Sequence, residues 1–469
     1  MKKVFYNLLI ISFFLFLSSS ASSNEHNLPN PKNIIIFIGD GMGYNHILAT
    51  NYYEHGKANA QIFEQDDWLH FAMATYNSIL DIKDGDTIYA EGYSPQQAWL
   101  NENYLSKYYT DSAAGGTAIS TGKKTFDGSI GIGIKGDTLK HISELAKQVG
   151  KSLAIVSSVP FSHATPASFL TNNVSRHNYE EIASYMLFRS KADVIMGAGN
   201  PNFDNNGNPA ENNYKYVGGK EVWEQLKIND SRKSFETKDT TFCVKDANGD
   251  GNPDPWLLIQ NREEFTELID NPVQGRILGV PKIFSTLQSE RPLRGDEKLP
   301  FSTPMNESVP TLEEMTKAAI SIISQNREGF FIMVEGGAID WASHDNYSSR
   351  MIEEHIDFNK SVRTAVEWVE ENSNWEETMI IVTADHECGY LTGPTHPEIV
   401  NSPVKNNGKG NLPDMKWNFD SHTNQLVPFF AKGEGAELFE LFADEYDPKR
   451  GYYIQNTEIA QLIFLLWGK

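Results

Sequence analysis

Tyr109 to Ala118 reads YTDSAAGGTA and sets a serine between an aspartate and a run of small residues. Asp and Ser accept hydrogen bonds from the free N–H groups of a helix start, so the pattern predicts a helix opening at Ser112. The positive end of the helix dipole then lies beside the hydroxyl, where an anion is stabilised. Small residues after the serine let a bulky, charged group approach the backbone. A serine alone is a poor nucleophile and needs a base or a metal to activate it; without one, the same residues are a capped helix under a loop. Groups able to activate it recur along the chain: Asp40 after NIIIFIG, Glu335 with Asp340 and His344 in VEGGAIDWASH, Asp385 and His386 in VTADHE, His163 and Thr165 in FSHATPA, and His422 in DSHTNQL. Each alone reads as a helix cap or a satisfied polar side chain. Gathered at one place, the carboxylates and imidazoles cost several kcal/mol to bury unpaired. Divalent cations resolve this: imidazole with carboxylate suits zinc, carboxylate with hydroxyl suits magnesium. Two metals about 3.5–4 Å apart would clamp the attacking and leaving oxygens of a phosphoryl transfer.

The elements that must carry these residues follow from hydrophobic patterning. Asn33 to Gly39 is a continuous β-branched run, the pattern of a strand buried on both faces. Similar runs occur at Phe71–Ser78, Ser152–Ser158, Asp193–Gly197, Phe330–Glu335, Met379–Asp385 and Leu426–Lys432. Between them lie helical patterns at Thr138–Val149, Tyr179–Arg189, Thr311–Gln325 and Ile352–Glu371, the third opened by a Thr311/Glu314 capping box. Alternation of this kind predicts an α/β fold, a mostly parallel sheet covered by helices on both faces. Ligand sites in such folds sit at the carboxyl ends of the strands, which is where the candidate residues fall.

Three stretches interrupt the alternation: a polar, aromatic excursion at Asp81–Ser106, an irregular inserted subregion at about 200–310, and a polar loop at Gly393–Asn424. With no internal repeat, a single elaborated domain over 22–469 fits the chain. Lys2 and Lys3 precede an apolar run and then small residues, the layout of a secretory signal peptide over 1–21. The expectation is export, periplasmic or secreted, with no membrane span after cleavage. A net charge of −22 excludes a phosphate-backbone partner and so a nucleic-acid surface. Only two cysteines occur, Cys243 and Cys388, and two separate thiols are expected rather than a bridge.

Two glycine-rich segments fall short of nucleotide sites. Gly39 to Gly43 lacks the third glycine, and its aspartate would repel a pyrophosphate. Gly131 to Gly136 matches G-x-G-x-x-G without a clear preceding strand, and reads as a turn. Within the inserted subregion Asp246, Asn248, Asp250, Asn252 and Asp254 reproduce the start of a calcium loop. Leu257 stands where the bidentate glutamate of an EF-hand belongs, which leaves a structural calcium ion or an Asx-rich turn.

Taken together, GDGMG at 39–43, TDSAA at 110–114, HATPA at 163–167, VSR at 174–176, VEGGAID at 334–340, TADH at 383–386 and SHT at 421–423 resemble the alkaline phosphatase family. The resemblance covers about residues 33–432. It implies a three-layer α/β/α sandwich, commonly a homodimer, that hydrolyses phosphate monoesters through a phosphoserine. By the same resemblance Ser112 is the nucleophile, and Arg176 holds two phosphate oxygens with Asp111 orienting it. One zinc takes Asp340, His344 and His422; the second takes Asp40, Asp385, His386 and the Ser112 oxygen; magnesium takes Asp40, Thr165 and Glu335. Position 163 is His where some members have Asp, and 341 is Trp where others have Lys or His, so the identity of the third metal stays open. Trp341 either packs beside the site or belongs to the core. The alternatives are a phosphodiesterase or sulfatase of the same superfamily and a non-catalytic metal- or phosphate-binding protein. TDSAAGG lacks the C/S-x-P-x-R setting of sulfatases, and Thr165 with Glu335 favours the monoesterase over a diesterase.

Overall fold

The computed structural model describes residues 28–468 except 79, 84–85, 90–91, 229–234, 237–240, 243–245, 248, 250, 293–298 and 395–399. The segment 1–21 expected to be a signal peptide, Cys243, Asn248 and Asp250 therefore lie outside the described residues. An 11-stranded sheet forms the centre. Its order from one edge is Glu445–Asp447, Gly451–Gln455, Leu69–Ala74, Val427–Gly433, Thr378–Thr383, Asn33–Ile38, Phe330–Glu335, Ser152–Pro160, Val194–Ala198, Arg276–Gly279 and Trp256–Ile259. From Thr378–Thr383 to Trp256–Ile259 every neighbouring pair is parallel. Val427–Gly433 runs antiparallel to the strands on both its sides. The β-branched run at 33–38 forms the middle strand and is buried at every position, as expected of a strand covered on both faces.

Two helical layers cover the sheet. One packs Ser112–Thr121, Ile142–Gln148 and Thr457–Trp467 together; the other packs Tyr44–His55, Arg262–Asp270, Leu312–Ile323 and Ser348–Asn372. Leu312–Ile323 shows why such helices form. Thr311 Oγ1 accepts the Glu314 N–H at 3.1 Å and the Thr311 N–H donates in turn to Glu314 Oε2 at 3.0 Å. Leu312, Met315, Ala319 and Ile323 then fall on one buried face, each large apolar side chain contributing about 1.5–3 kcal/mol by leaving water.

Register places the site. Ile38 pairs with Glu335 on one side and with Thr383 on the other, and Glu335 pairs with Ser157. The carboxyl ends of three adjacent strands are thus level, the fourth, Ser152–Pro160, runs on past Ser157, and the residues beyond them share one rim. Two expectations change. The stretch 200–310 is not irregular throughout: it holds the helices Lys220–Lys227 and Arg262–Asp270 and supplies two strands to the sheet edge. The helix expected from Thr138 starts only at Ile142, because Thr138 bridges Ile132 and Leu139 N–H bonds Gly131 O at 2.8 Å. Those bonds close the Gly131–Gly136 segment into a turn, as its sequence suggested.

Candidate active site

Ser112 is the first residue of the Ser112–Thr121 helix, capped by Asp111, whose Oδ1 accepts the Ala114 N–H at 2.9 Å. Asp111 Oδ2 accepts two further donors, the Gly128 N–H at 3.0 Å and Arg176 Nη1 at 2.9 Å. One carboxylate therefore starts the helix and aims the guanidinium. The glycines after Ser112 have a different use from the expected one. A Cβ at Gly115 would lie 3.1 Å from the Asp385 carbonyl oxygen, and one at Gly116 would lie 2.3 Å from Ser168 Oγ. They let the helix seat against the neighbouring site segments, which is how Ser112 reaches the strand ends.

The Ser112 hydroxyl lies 3.4 Å from His386 Nε2. The same nitrogen is 3.4 Å from Asp40 Oδ1 and 3.3 Å from Asp385 Oδ2, all buried. Gly41, just after Asp40, adopts φ +73°, and a Cβ there would lie 2.9 Å from the Asp340 Cα. That close approach brings the second group alongside. In it, His344 Nε2 is 3.3 Å from Asp340 Oδ2 and 3.0 Å from His422 Nε2, which is 3.5 Å from Asp340 Oδ1. Both imidazoles are held from behind: His344 Nδ1 pairs with the Asp420 carbonyl at 2.7 Å, His422 Nδ1 with the Thr110 carbonyl at 2.8 Å. With the proton on Nδ1 in each ring, Nε2 is the atom that would face a metal. The His386 and His422 rings stack with centroids 3.6 Å apart, joining the two groups.

A third cluster adjoins Asp40. Glu335 accepts a short hydrogen bond from Ser157 through Oε2, while Glu335 Oε1 and Thr165 Oγ1 are buried without a hydrogen-bond partner. Both Asp40 oxygens, Asp385 Oδ2 and Asp340 Oδ1 are in the same condition. Buried oxygens are normally satisfied; a set of them on converging carboxylates fits divalent cations. The His163 ring stacks on Tyr179 with centroids 6.1 Å apart and meets the half-buried Trp341 edge-on at 5.4 Å. Trp341 therefore packs beside the site, not in the core.

The family model for alkaline phosphatase matches residues 31–412. The chain belongs to the alkaline phosphatase family. It is 29% identical over 383 residues to alkaline phosphatase 4 of Bacillus subtilis, covering 80% of this chain and 65% of that one. To alkaline phosphatase 3 of the same organism it is 27% identical, covering 79% and 64%. To the alkaline phosphatase of Escherichia coli it is 29% identical, covering 76% and 70%. The match thus spans slightly less than two thirds of the two Bacillus relatives. Among solved structures, the cold-active alkaline phosphatase of Shewanella sp. superposes with a TM-score of 0.61 at 23% identity, over 92% of this chain and 99% of that one. The Thermus thermophilus alkaline phosphatase gives 0.62 at 18%, over 96% of each. These likenesses show the fold.

In this chain the clustered charges shift one another. Burial, then Asp385, Asp340 and Glu335, push the Asp40 carboxyl well up. Burial also pushes Glu335 and Asp385 to about 7. Asp340 goes the other way: burial opposes its charge, but His422 and His344 hold it well below the usual carboxylate range. Burial lowers His163 to about 3, with Arg176 adding to the effect. A rim of carboxylates driven toward neutrality is one that a cation would recharge.

One residue of the site is absent from the set that the sequence singles out. Cys388 is fully buried beside Asp340, His344 and His422, and its position two residues after His386 is the one signal for it in the sequence. Burial, then the Asp340 carboxylate, pushes its thiol well up. The 246–254 loop lies apart from this site, and its described acids turn inward. Asp246 accepts the Gly249 and Gly251 N–H groups at 2.6 and 2.9 Å, and Asp254 accepts the Ala247 N–H at 2.8 Å. The described acids therefore brace the backbone of their own loop.

Proposed function

We propose that the chain hydrolyses phosphate monoesters to an alcohol and inorganic phosphate, through a phosphoserine at Ser112. The observation that carries this is the Ser112 hydroxyl on a helix N-terminus, 3.4 Å from His386 Nε2 and flanked by two groups of metal-ligating side chains. Asp40, Asp385 and His386 would hold one zinc, Asp340, His344 and His422 the other, and Asp40, Thr165 and Glu335 magnesium. When bound, these ions supply Lewis acidity: they lower the pKa of a hydroxyl or water and stabilise a leaving oxygen. A His-to-Asp variant of the Antarctic TAB5 alkaline phosphatase has been solved with magnesium in its M3 site; in this chain the magnesium reading rests on the buried, unpartnered oxygens of Asp40, Thr165 and Glu335.

The chain's own residues do the remainder. Ser112 Oγ loses its proton and attacks phosphorus as the ester P–O bond breaks, the leaving oxygen taking up a proton to depart as the alcohol; water then attacks the phosphoserine, releasing inorganic phosphate and returning a proton to Ser112 Oγ. The helix N-terminus beside Ser112 stabilises the anionic phosphoryl oxygens. Arg176 offers a planar fork to two of them, held in line by Asp111. Charge in the transition state spreads over oxygens, so positioning and electrostatics carry most of the rate. Export from the cell and a homodimeric assembly belong to the same proposal. Among the described residues no helix is long and apolar enough to cross a membrane.

The test is hydrolysis of a chromogenic phosphate monoester, diester and sulfate at alkaline pH, with and without chelator. The monoester should react fastest, chelation should stop it, and zinc with magnesium should restore it. A faster diester, or indifference to chelation, would overturn the proposal.

A further inference from the structure

Cys388 stands where chance burial of a small apolar thiol would be unremarkable, but its neighbours are not apolar. Cys388 and His422 are directly opposed in the antiparallel pair Glu387–Cys388 and His422–Thr423. Opposed residues in such a ladder project from the same face, so register alone sets the thiol beside the imidazole. The strand is fixed from two sides: Cys388 N–H bonds the Gly41 carbonyl at 3.0 Å, and Gly389 N–H bonds the Ser421 carbonyl at 2.9 Å. Gly389 adopts φ +84°, and a Cβ there would lie 2.4 Å from the Trp417 ring, so the turn that follows Cys388 is rigidly defined. As a result, ligand atoms of Asp340, His344, Cys388 and His422 all lie within 4.8 Å of one another. Asp340 Oδ1, inside that group, is buried without a hydrogen-bond partner.

We infer that Cys388 Sγ is a fourth protein donor to the metal held by Asp340, His344 and His422. The inference rests on the two-zinc proposal and adds a sulfur to one of its sites. On binding, the S–H bond breaks, the proton leaves to solvent and a sulfur–metal bond forms. Four protein donors of the Asp-His-His-Cys type complete a tetrahedral set for zinc, which also expands to five positions and so still admits a substrate oxygen. A thiolate makes the site selective for thiophilic cations over magnesium, calcium or manganese.

Cobalt(II) titrated into the chelator-stripped full chain tests this directly. The wild type should show a sulfur-to-cobalt charge-transfer band in the near ultraviolet together with the visible bands of bound cobalt. Cys388→Ser should lose the former and keep the latter, while Cys243→Ser should keep both. Should Cys388→Ser not fold, X-ray absorption on the zinc-loaded Cys243→Ser protein decides the matter: a sulfur at about 2.3 Å from zinc is expected. Bound cobalt without the charge-transfer band, a band lost in Cys243→Ser, or a zinc shell of nitrogen and oxygen only would overturn the inference. Those outcomes would leave the hydrolase proposal standing, whereas a stripped chain that takes up neither cobalt nor zinc would sink both.

Discussion

Asp111 serves three donors with one carboxylate: the Ala114 and Gly128 N–H groups and Arg176 Nη1. Its replacement therefore has separable effects. Arg176→Ala removes a charge-assisted contact of about 1.5–3 kcal/mol, so affinity for inorganic phosphate should fall about 10–100-fold in inhibition assays. Asp111→Asn keeps an oxygen at the cap and should lose less. Ser112→Ala should abolish the acid-stable phosphoenzyme seen after quenching with labelled substrate, because Ser112 Oγ is the hydroxyl that lies 3.4 Å from His386 Nε2. Proton competition should also be visible at these residues. Asp385 and Glu335, raised to about 7, are neutral below that pH and ionised above it. Metal binding expels those protons, so apparent metal affinity should decline as pH falls through 7, by about tenfold per pH unit for each proton released. A competition titration with a metal indicator measures it, and a flat profile would mean that both carboxyls are already ionised well below neutral pH. Of these residues, Ser112 and the carboxylates and imidazoles at strand ends were legible from type and spacing, and Arg176 only through the family resemblance. Cys388 was not, because its ladder partner His422 lies far along the sequence.

At the scale of elements, the Ser348–Asn372 helix carries an unusual load. It buries Arg350, Glu353 and Glu354, with Glu353 paired to Arg291 at 2.7 Å and Arg350 at 3.1 Å. Glu354 Oε1 has no hydrogen-bond partner, and burial, then Asp357 and Glu353, raise its carboxyl from 4.5 to about 8 against the opposing pull of Arg291 and Arg350. Between those two values the folded chain binds the extra proton, so the stability this group contributes is present at low pH and is lost as pH rises through about 8. Glu354→Gln mimics the neutral form. It should raise resistance to urea at pH 9 by a few kcal/mol and change little near pH 5. Gly41→Ala should act oppositely: its positive φ and the Asp340 backbone 2.9 Å from a new Cβ predict a loss of about 1–3 kcal/mol and a displaced Asp340. Elements with a strong period were legible, among them the strand at 33–38 and the capped helix at 312–323. The strands at Trp256–Ile259 and Arg276–Gly279 were not: they are four residues each, too short for alternation to register, and become strands only by pairing with Val194–Ala198 and each other.

For the molecule as a whole, the site is a concentration of unsatisfied buried oxygens at the rim of an otherwise well-packed sheet. Metal bound to the folded chain and not to the unfolded one stabilises by mass action, about 4 kcal/mol at a thousand times its Kd. Stripping the metals should therefore lower the Tm measured by scanning calorimetry, and readdition should restore it; an unchanged Tm would mean that the carboxylates are not metal ligands. The sequence by itself determined the fold class and the residue types of the chemistry, because both are local: strand and helix periods, a capped serine, and carboxylates or imidazoles placed just after apolar runs. What only the tertiary structure decided was which of these meet. Parallel register levels the ends of the 33–38, 330–335 and 378–383 strands and sets Ser157 of the fourth beside Glu335. Gly115 and Gly116 let the Ser112 helix close on them, correcting their expected use as room for phosphate. An antiparallel pair of two residues sets Cys388 against His422. Distances between residues hundreds of positions apart depend on packing in three dimensions, which no local period encodes.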